Sequence, residues 1–144
     1  MTKAKAQSVL DLSIATIDLY FRIAAATTAI AGFATAGGEY GLLRSLVLDG
    51  PQTVPEMARL RPVSRQYCQT TANTLEAKGL VEFVENPRHK RSRLARITKK
   101  GRAHYEDLTK RFLAAAAVVA VHFEERDVTI ATKVLRNALT VLAV

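Results

Sequence analysis

The chain has 144 residues, of which 49% are hydrophobic and 24% are charged, a composition that suits one compact domain or a core with helical arms. This length leaves no room for two large domains and excludes most multidomain enzymes. Twenty-one Lys and Arg residues against 13 Asp and Glu residues give a formal charge of +8, which indicates a polyanionic partner.

The excess charge lies in one stretch of the sequence. The segment from Arg59 to Arg102 holds 12 basic and 3 acidic side chains, a local charge of +9. The rest of the chain holds 9 basic and 10 acidic side chains and is close to neutral. The sequence therefore predicts an anion-binding segment between two nearly neutral flanks.

Several features favour a reduced, cytoplasmic protein without a metal or cofactor. Cys68 is the single cysteine, so it forms no internal disulfide and has no partner at metal-ligand spacing. Asp11 and Asp18 interrupt the apolar core that a secretory signal needs, so we expect no export. The longest uncharged stretch, 23–38, has 16 residues, fewer than the roughly 20 apolar residues of a membrane span.

The first predicted elements are two helices. Apolar residues recur every three to four positions from Leu10 to Ala24, which predicts a long helix that ends near Gly37. A second, short helix is predicted from about Glu39 to Asp49, where a Gly-Pro pair supplies a stop.

Two short helices joined by a tight turn follow. A capping box at Thr53 and Glu56 opens the first one, and we expect this helix to bury Met57 and Leu60. Ser64 caps the second, whose inward positions are Cys68, Thr71, Ala72 and Leu75. This arrangement is typical of a helix-turn-helix.

A β-hairpin and two further helices complete the pattern. The run 80–85 is prone to form a strand, a loop begins at Asn86, and 93–97 alternates basic with apolar residues over a second strand. Thr98 caps a long helix, and Thr129 opens a last one. The sequence thus predicts a mainly α fold with a small β-hairpin (α+β).

The exposed face of the helix after Ser64 carries side chains that suit the edges of bases. They are Arg65, Gln66, Gln69, Thr70 and Asn73. Arg can pair bidentately with guanine and Gln or Asn with adenine, each pair discriminating by about 1–3 kcal/mol. The pattern predicts major-groove reading, whereas the alternative is an ordinary solvated face.

The predicted hairpin is strongly basic. Eight of the 15 residues from Arg88 to Arg102 are Lys or Arg, with no acid among them. Such a hairpin fits along a DNA backbone or into a narrow minor groove, and the alternative is a surface that only confers solubility. On alternating strand faces, some of Arg93, Arg96 and Lys99 are expected simply to face solvent.

Five runs of residues together resemble the winged helix-turn-helix core of MarR-type regulators. They are GPQTVPEMA at 50–58, VSRQ at 63–66, LEAKGLV at 75–81, NPRHKRS at 86–92 and LARITKKG at 94–101. The resemblance implies a DNA-binding core over 39–102, with the hairpin as its wing. It also implies dimerisation helices over 1–38 and 103–144.

The resemblance further implies a homodimer on a pseudo-palindromic double-stranded DNA operator, and usually repression that a small molecule relieves. The recognition-helix role falls on Ser64, Arg65, Gln66, Gln69, Thr70 and Asn73. The wing role falls on Arg88, His89, Lys90 and Arg91, with Arg93 beside them. Many members carry an acid at the wing tip that orients a nearby Arg, and His89 stands at about that position here.

Some alternatives stay open at this point. A sequence-nonspecific architectural DNA-binding protein would share the charge pattern. No nucleophile, acid–base pair or metal cluster is evident, so we expect no enzyme. Cys68 occupies an inward position, which favours a core residue over an oxidation sensor. Aromatic candidates for an effector pocket, equally suited to the core, are Tyr20, Phe33, Tyr40 and Tyr105.

The predicted terminal helices carry more apolar surface than a monomer of this size readily buries. An interlocked homodimer solves this, because these helices can pack with those of a second copy. A monomeric bundle of the same helices is the alternative.

Overall fold

The computed structural model describes residues 1–31, 38–61 and 63–143. In chain order its elements are α1 (Ala6–Ala31), α2 (Glu39–Asp49), α3 (Val54–Leu60), α4 (Arg65–Ala77), β1 (Val81–Val84), β2 (Leu94–Ile97), α5 (Lys99–Ala120) and α6 (Glu125–Leu142). The predicted fold class, mainly helical with one small antiparallel hairpin, is confirmed. The chain forms two compact units, Met1–Thr109 and Lys110–Val144, with their boundary inside α5.

The hydrophobic core of the first unit is built from α2, α3, α4 and the hairpin. The side chains of Leu43, Met57, Ala72, Leu75 and Ala95 are all 0% exposed. Burial of a leucine or methionine side chain stabilises a fold by about 1.5–3 kcal/mol, so these positions hold the three helices together. The predicted inward face of α4 is confirmed except at Thr71, which is only partly buried.

Local hydrogen bonds fix the helix-turn-helix. Thr53 Oγ1 accepts from the Glu56 N–H at 3.3 Å, and Glu56 Oε2 accepts from the Thr53 N–H at 3.0 Å, so the predicted capping box is confirmed. Ser64 Oγ accepts from the Tyr67 N–H at 3.0 Å and begins α4. Both helix starts are therefore specified by side chains next to them in sequence.

The hairpin pairs Val81 with Ile97 and Val84 with Leu94. Gln52 adds one more rung, because its N–H donates to the Ala95 carbonyl at 3.1 Å and its own carbonyl accepts from the Ala95 N–H at 2.7 Å. The buried Gln52 amide also donates to the Ser45 carbonyl of α2 at 3.1 Å. Strand β2 of the hairpin is thus bonded to the segment between α2 and α3.

The start of α5 lies against the start of the hairpin. Thr98 caps α5 as predicted: its Oγ1 accepts from the Gly101 N–H at 3.0 Å. The Thr98 N–H donates to the Leu80 carbonyl at 3.0 Å. A Cβ added to Gly101 would overlap that same Leu80 carbonyl oxygen, so only glycine permits this approach.

Two further expectations from the sequence differ from the structure. Leu60 is 64% exposed, because Val54, Met57 and Ala58 form the buried side of α3 and Leu60 lies off it. The last helix begins at Glu125 instead of Thr129, with acidic residues that suit the positive end of the helix dipole in its first turn. The predicted end of the first helix at Gly37 lies outside the described residues.

The terminal helices expose apolar side chains. On α1, Ile17 is 56% and Phe21 is 65% exposed. On α6, none of the described residues is buried, and Val128, Ile130 and Val134 are all at least 41% exposed. Among the described residues, no helix combines the length and apolar character needed to cross a membrane.

Candidate nucleic-acid interface

One face of α4 is anchored and the opposite face is free to bind. Cys68, Ala72 and Leu75 pack into the core and hold the helix in place. The opposite face presents exposed polar side chains, namely Arg65, Gln66, Gln69, Thr70 and Asn73. Such a face can meet base edges without any change in the fold.

Two amides on this face are already paired. Gln69 Nε2 donates to Asn73 Oδ1 at 2.8 Å, one turn further along α4. The pair leaves the Gln69 carbonyl oxygen as an acceptor and an Asn73 amide N–H as a donor. A neighbouring donor and acceptor match the edge that adenine presents in the major groove.

A groove between α4 and the hairpin collects most of the predicted contact residues. Arg65, Gln66, Gln69 and Asn73 line it from α4, and Arg91 and Arg93 line it from the hairpin. The start of α3 contributes Val54 and Pro55. The predicted recognition face and part of the predicted wing therefore share one open groove.

The remaining predicted residues lie elsewhere. The Ser64 hydroxyl is used as the cap of α4, and Thr70 does not line the groove. Arg88 and His89 line a second groove, on which Glu56 and Arg59 of α3 also lie.

Short-range turns shape the tip of the wing. The buried Asn86 accepts from the Arg88 N–H through Oδ1 at 3.1 Å and from the His89 N–H through its backbone carbonyl at 3.2 Å. The Ser92 N–H donates to the His89 carbonyl at 3.1 Å. These turns leave four side chains exposed at the tip: Arg88, His89, Lys90 and Arg91.

The basic residues of the hairpin and its flank differ in what they contact. Arg96 forms a salt bridge with Glu82 across the strands at 2.6 Å, so its charge is cancelled. Lys100 donates to the Lys78 carbonyl at 3.0 Å. Arg93 donates from Nη2 to the Phe83 carbonyl at 2.6 Å. The sequence predicted that not all of these basic residues contact DNA. Arg96 is one whose charge is already paired with a carboxylate.

Sequence reasoning missed five lining residues of the groove, and two of them, Glu76 and Phe83, have side chains that bear on its chemistry. Glu76 stands three positions after Asn73 and seven after Gln69, a helical spacing that would have placed it on the same face. Its carboxylate can accept from a cytosine amino group but repels phosphate. Phe83 carried no such signal, because its position follows from the pairing of the hairpin.

Cys68 lies in the core, where it is 2% exposed. Burial raises the pKa of its thiol, while the nearby Arg61 guanidinium acts in the opposite direction. A buried, protonated thiol is typical of a structural cysteine. Within the described residues, no three His, Cys, Asp or Glu side chains cluster as metal ligands would.

The aromatic residues considered for an effector pocket are in different surroundings. Tyr40 and Tyr105 stack with ring centroids 5.2 Å apart, and the Tyr40 hydroxyl bonds the Thr109 hydroxyl at 2.8 Å. Burial raises the pKa of Tyr40. Tyr20 is 47% exposed on α1, and Phe33 lies outside the described residues.

Comparison with known proteins gives a family match over part of the chain and a fold over nearly all of it. Residues 34–92 match the model of the MarR family. The uncharacterised protein Rv2011c of Mycobacterium tuberculosis is 42% identical over 69 residues, which are 48% of this chain and 48% of that protein. The chain thus spans about half the length of the curated relatives it matches.

Two solved structures have the same architecture across the chain. The transcriptional regulator BldR from Sulfolobus solfataricus superposes with a TM-score of 0.83 at 17% identity, covering 97% of this chain and 100% of that one. A mutant of MarR from E. coli has a TM-score of 0.70 at 18% identity, covering 96% and 99%. At 17% and 18% sequence identity, the similarity to these structures shows a shared fold.

Proposed function

We propose that the chain is a winged-helix regulator of the MarR family, whose model matches residues 34–92. In this proposal it binds a pseudo-palindromic DNA operator as a homodimer and represses transcription until a small molecule releases it. One observation carries the DNA-binding part of this proposal. The exposed amides of α4 and the wing residues Arg91 and Arg93 line a single groove. Amides on a helix face suit base edges, and arginines beside them suit phosphates or a narrow minor groove.

The exposed apolar side chains of the terminal helices support the homodimer. Ile17 and Phe21 of α1 and Val134 of α6 are each more than 40% exposed in the single chain. Exposed apolar side chains on each of these helices mark an interaction site. A second copy supplies complementary surfaces by symmetry, because the same apolar helices recur on both partners.

The direct test is to select, from random duplexes, the DNA that the purified protein binds. We expect two related half-sites whose centres lie about 10 bp apart or slightly more, since dimeric helix-turn-helix proteins place their recognition helices one turn of DNA apart. A sequence-nonspecific architectural protein would instead enrich no motif. Small molecules are then screened for release of the selected DNA.

Two substitutions distinguish residues that recognise bases from residues that bind the DNA backbone. Gln66→Ala removes an amide on the base-reading face and should mainly change the selected sequence. Arg91→Ala should weaken binding to all sequences and reduce the log–log salt slope by about 0.9, the contribution of one neutralised phosphate. Equal, sequence-independent losses in the two variants would contradict this division between helix and wing.

A further inference from the structure

Arg93 is held in place by two groups of one residue. It stands just before β2, and its Nη2 donates to the Phe83 carbonyl of β1 at 2.6 Å. Its guanidinium carbon also lies 5.7 Å from the centroid of the Phe83 ring, within the range of a cation–π contact. Phe83 is itself packed against the hydrophobic core, so the surface that carries the guanidinium is fixed to the fold.

The partners of Arg93 orient it without cancelling its charge. Within the described residues Arg93 forms no ion pair, and both of its contacts on Phe83 are electrically neutral. Arg96 on the same hairpin gives the contrast, because its guanidinium donates twice to the Glu82 carboxylate. The hairpin thus holds one arginine as a neutralised pair and another as an ordered cation.

The ordered cation lies on the side of the hairpin that faces α4. Arg93 and Phe83 line the same groove as Gln66, Gln69 and Asn73. A duplex whose base edges approach the α4 amides therefore brings its phosphates near a guanidinium that is already held in one orientation. Binding to a pre-ordered side chain avoids the entropy cost of immobilising a flexible one.

We propose that Phe83 is a positioning residue for DNA binding, whose ring and backbone carbonyl hold the Arg93 guanidinium in this groove. The inference rests on the proposed function and adds to it a residue that carries no charge. Phe83 acts through Arg93, so its side chain affects affinity without changing the number of phosphates that the protein neutralises.

The experiment measures affinity for the selected duplex as a function of salt concentration. In Phe83→Leu, which keeps the carbonyl and most of the apolar volume but removes the ring, affinity should fall about three- to tenfold, the range for disordering one long side chain. The salt slope should stay at the wild-type value. Arg93→Gln should instead reduce that slope by about 0.9, because one phosphate contact is lost.

A double substitution distinguishes positioning from packing. Phe83→Leu combined with Arg93→Gln should bind no more weakly than Arg93→Gln alone, because Phe83 acts only through Arg93. Phe83→Tyr keeps the ring and should restore wild-type affinity. Urea unfolding of each variant establishes that it is folded under the binding conditions.

Two results would overturn the inference while leaving the proposed function intact. The first is wild-type affinity in a folded Phe83→Leu protein. The second is an equal loss of affinity from Phe83→Leu in the wild-type and Arg93→Gln backgrounds, since that loss would come from packing. A wild-type protein that enriches no DNA at all would overturn both proposals.

Discussion

The winged-helix core and the terminal helices use similar apolar residues in opposite ways. In the core, Leu43 and Met57 are 0% exposed, whereas Ile17 and Phe21 of α1 are 56% and 65% exposed. Helical spacing of apolar residues predicted both groups equally well. Periodicity therefore identifies an apolar face but does not tell whether the same chain or another one covers it.

Charge follows the same division. The segment 59–102, which makes up most of the winged-helix core at 39–102, carries a charge of +9, and the rest of the chain carries −1. A core that covers its own apolar side chains can present cations and amides to DNA. A nearly neutral pair of terminal segments can associate with a second copy without strong repulsion between like charges.

The largest expected effect comes from placing a charge on the exposed apolar face of α6. Val134→Glu should convert the proposed dimer to a monomer at micromolar concentration, because a carboxylate would have to be buried in an apolar interface. Affinity for the two-site operator should fall about 100-fold or more, since the linked second half-site is lost. Sedimentation velocity and operator binding measure the two effects.

The matched control for this variant is Thr132→Glu. Thr132 lies two positions before Val134, which places the two side chains on opposite sides of the helix, so the same charge is added away from Val134. This control should remain dimeric and bind the operator as the wild type does. A monomeric wild-type protein would contradict the contrast between core and terminal helices, because the exposed apolar faces would then need another explanation.

The elements predicted well from the sequence are those specified by neighbouring residues. The helix at Glu39–Asp49 and the capping box of Thr53 with Glu56 agree with the structure, since each depends on residues within one or two turns. Prediction was incomplete where contact depends on distant parts of the chain. The sequence placed Arg96 among three cations of which some were expected simply to face solvent, and its pairing with Glu82 follows only from the strand register.

The next effect, on the stability of the core, is tested at Gly101. Gly101→Ala places a Cβ against the Leu80 carbonyl oxygen and should lower the free energy of unfolding by about 1–3 kcal/mol, as overpacking does. Urea unfolding measures this change. The exposed neighbouring substitution Arg102→Ala should stay within about 0.5 kcal/mol of the wild type.

Gly101→Ala distinguishes the winged-helix core from the terminal helices, because it changes the packing of the core and leaves the exposed apolar faces of α1 and α6 unchanged. A folded Gly101→Ala protein should therefore still sediment as a dimer. Unchanged stability would show that the start of α5 does not depend on its close approach to Leu80.

The smallest expected effect is a change in the pH dependence of stability at Cys68. Burial raises the pKa of this thiol, so the folded protein keeps its proton while the unfolded chain loses it as pH rises through about 8.5, the ordinary value. Ionisation then favours the unfolded state, and the stabilisation present below that pH is lost above it. Cys68→Ala lacks this ionisation and should lose less stability than the wild type between about pH 8 and about pH 10, a range that brackets the ordinary thiol pKa.

The readout is the slope of unfolding free energy against pH, because Cys68→Ala also removes a buried sulfur and lowers stability at every pH. Other groups that ionise in alkali, including Tyr40 with its raised pKa, are common to both proteins and cancel in the difference. Identical slopes would mean that the thiol ionises as easily in the folded protein as in the unfolded chain. Cys68 would then be accessible to water, and the core of α4 would be less closed than its 2% exposure indicates.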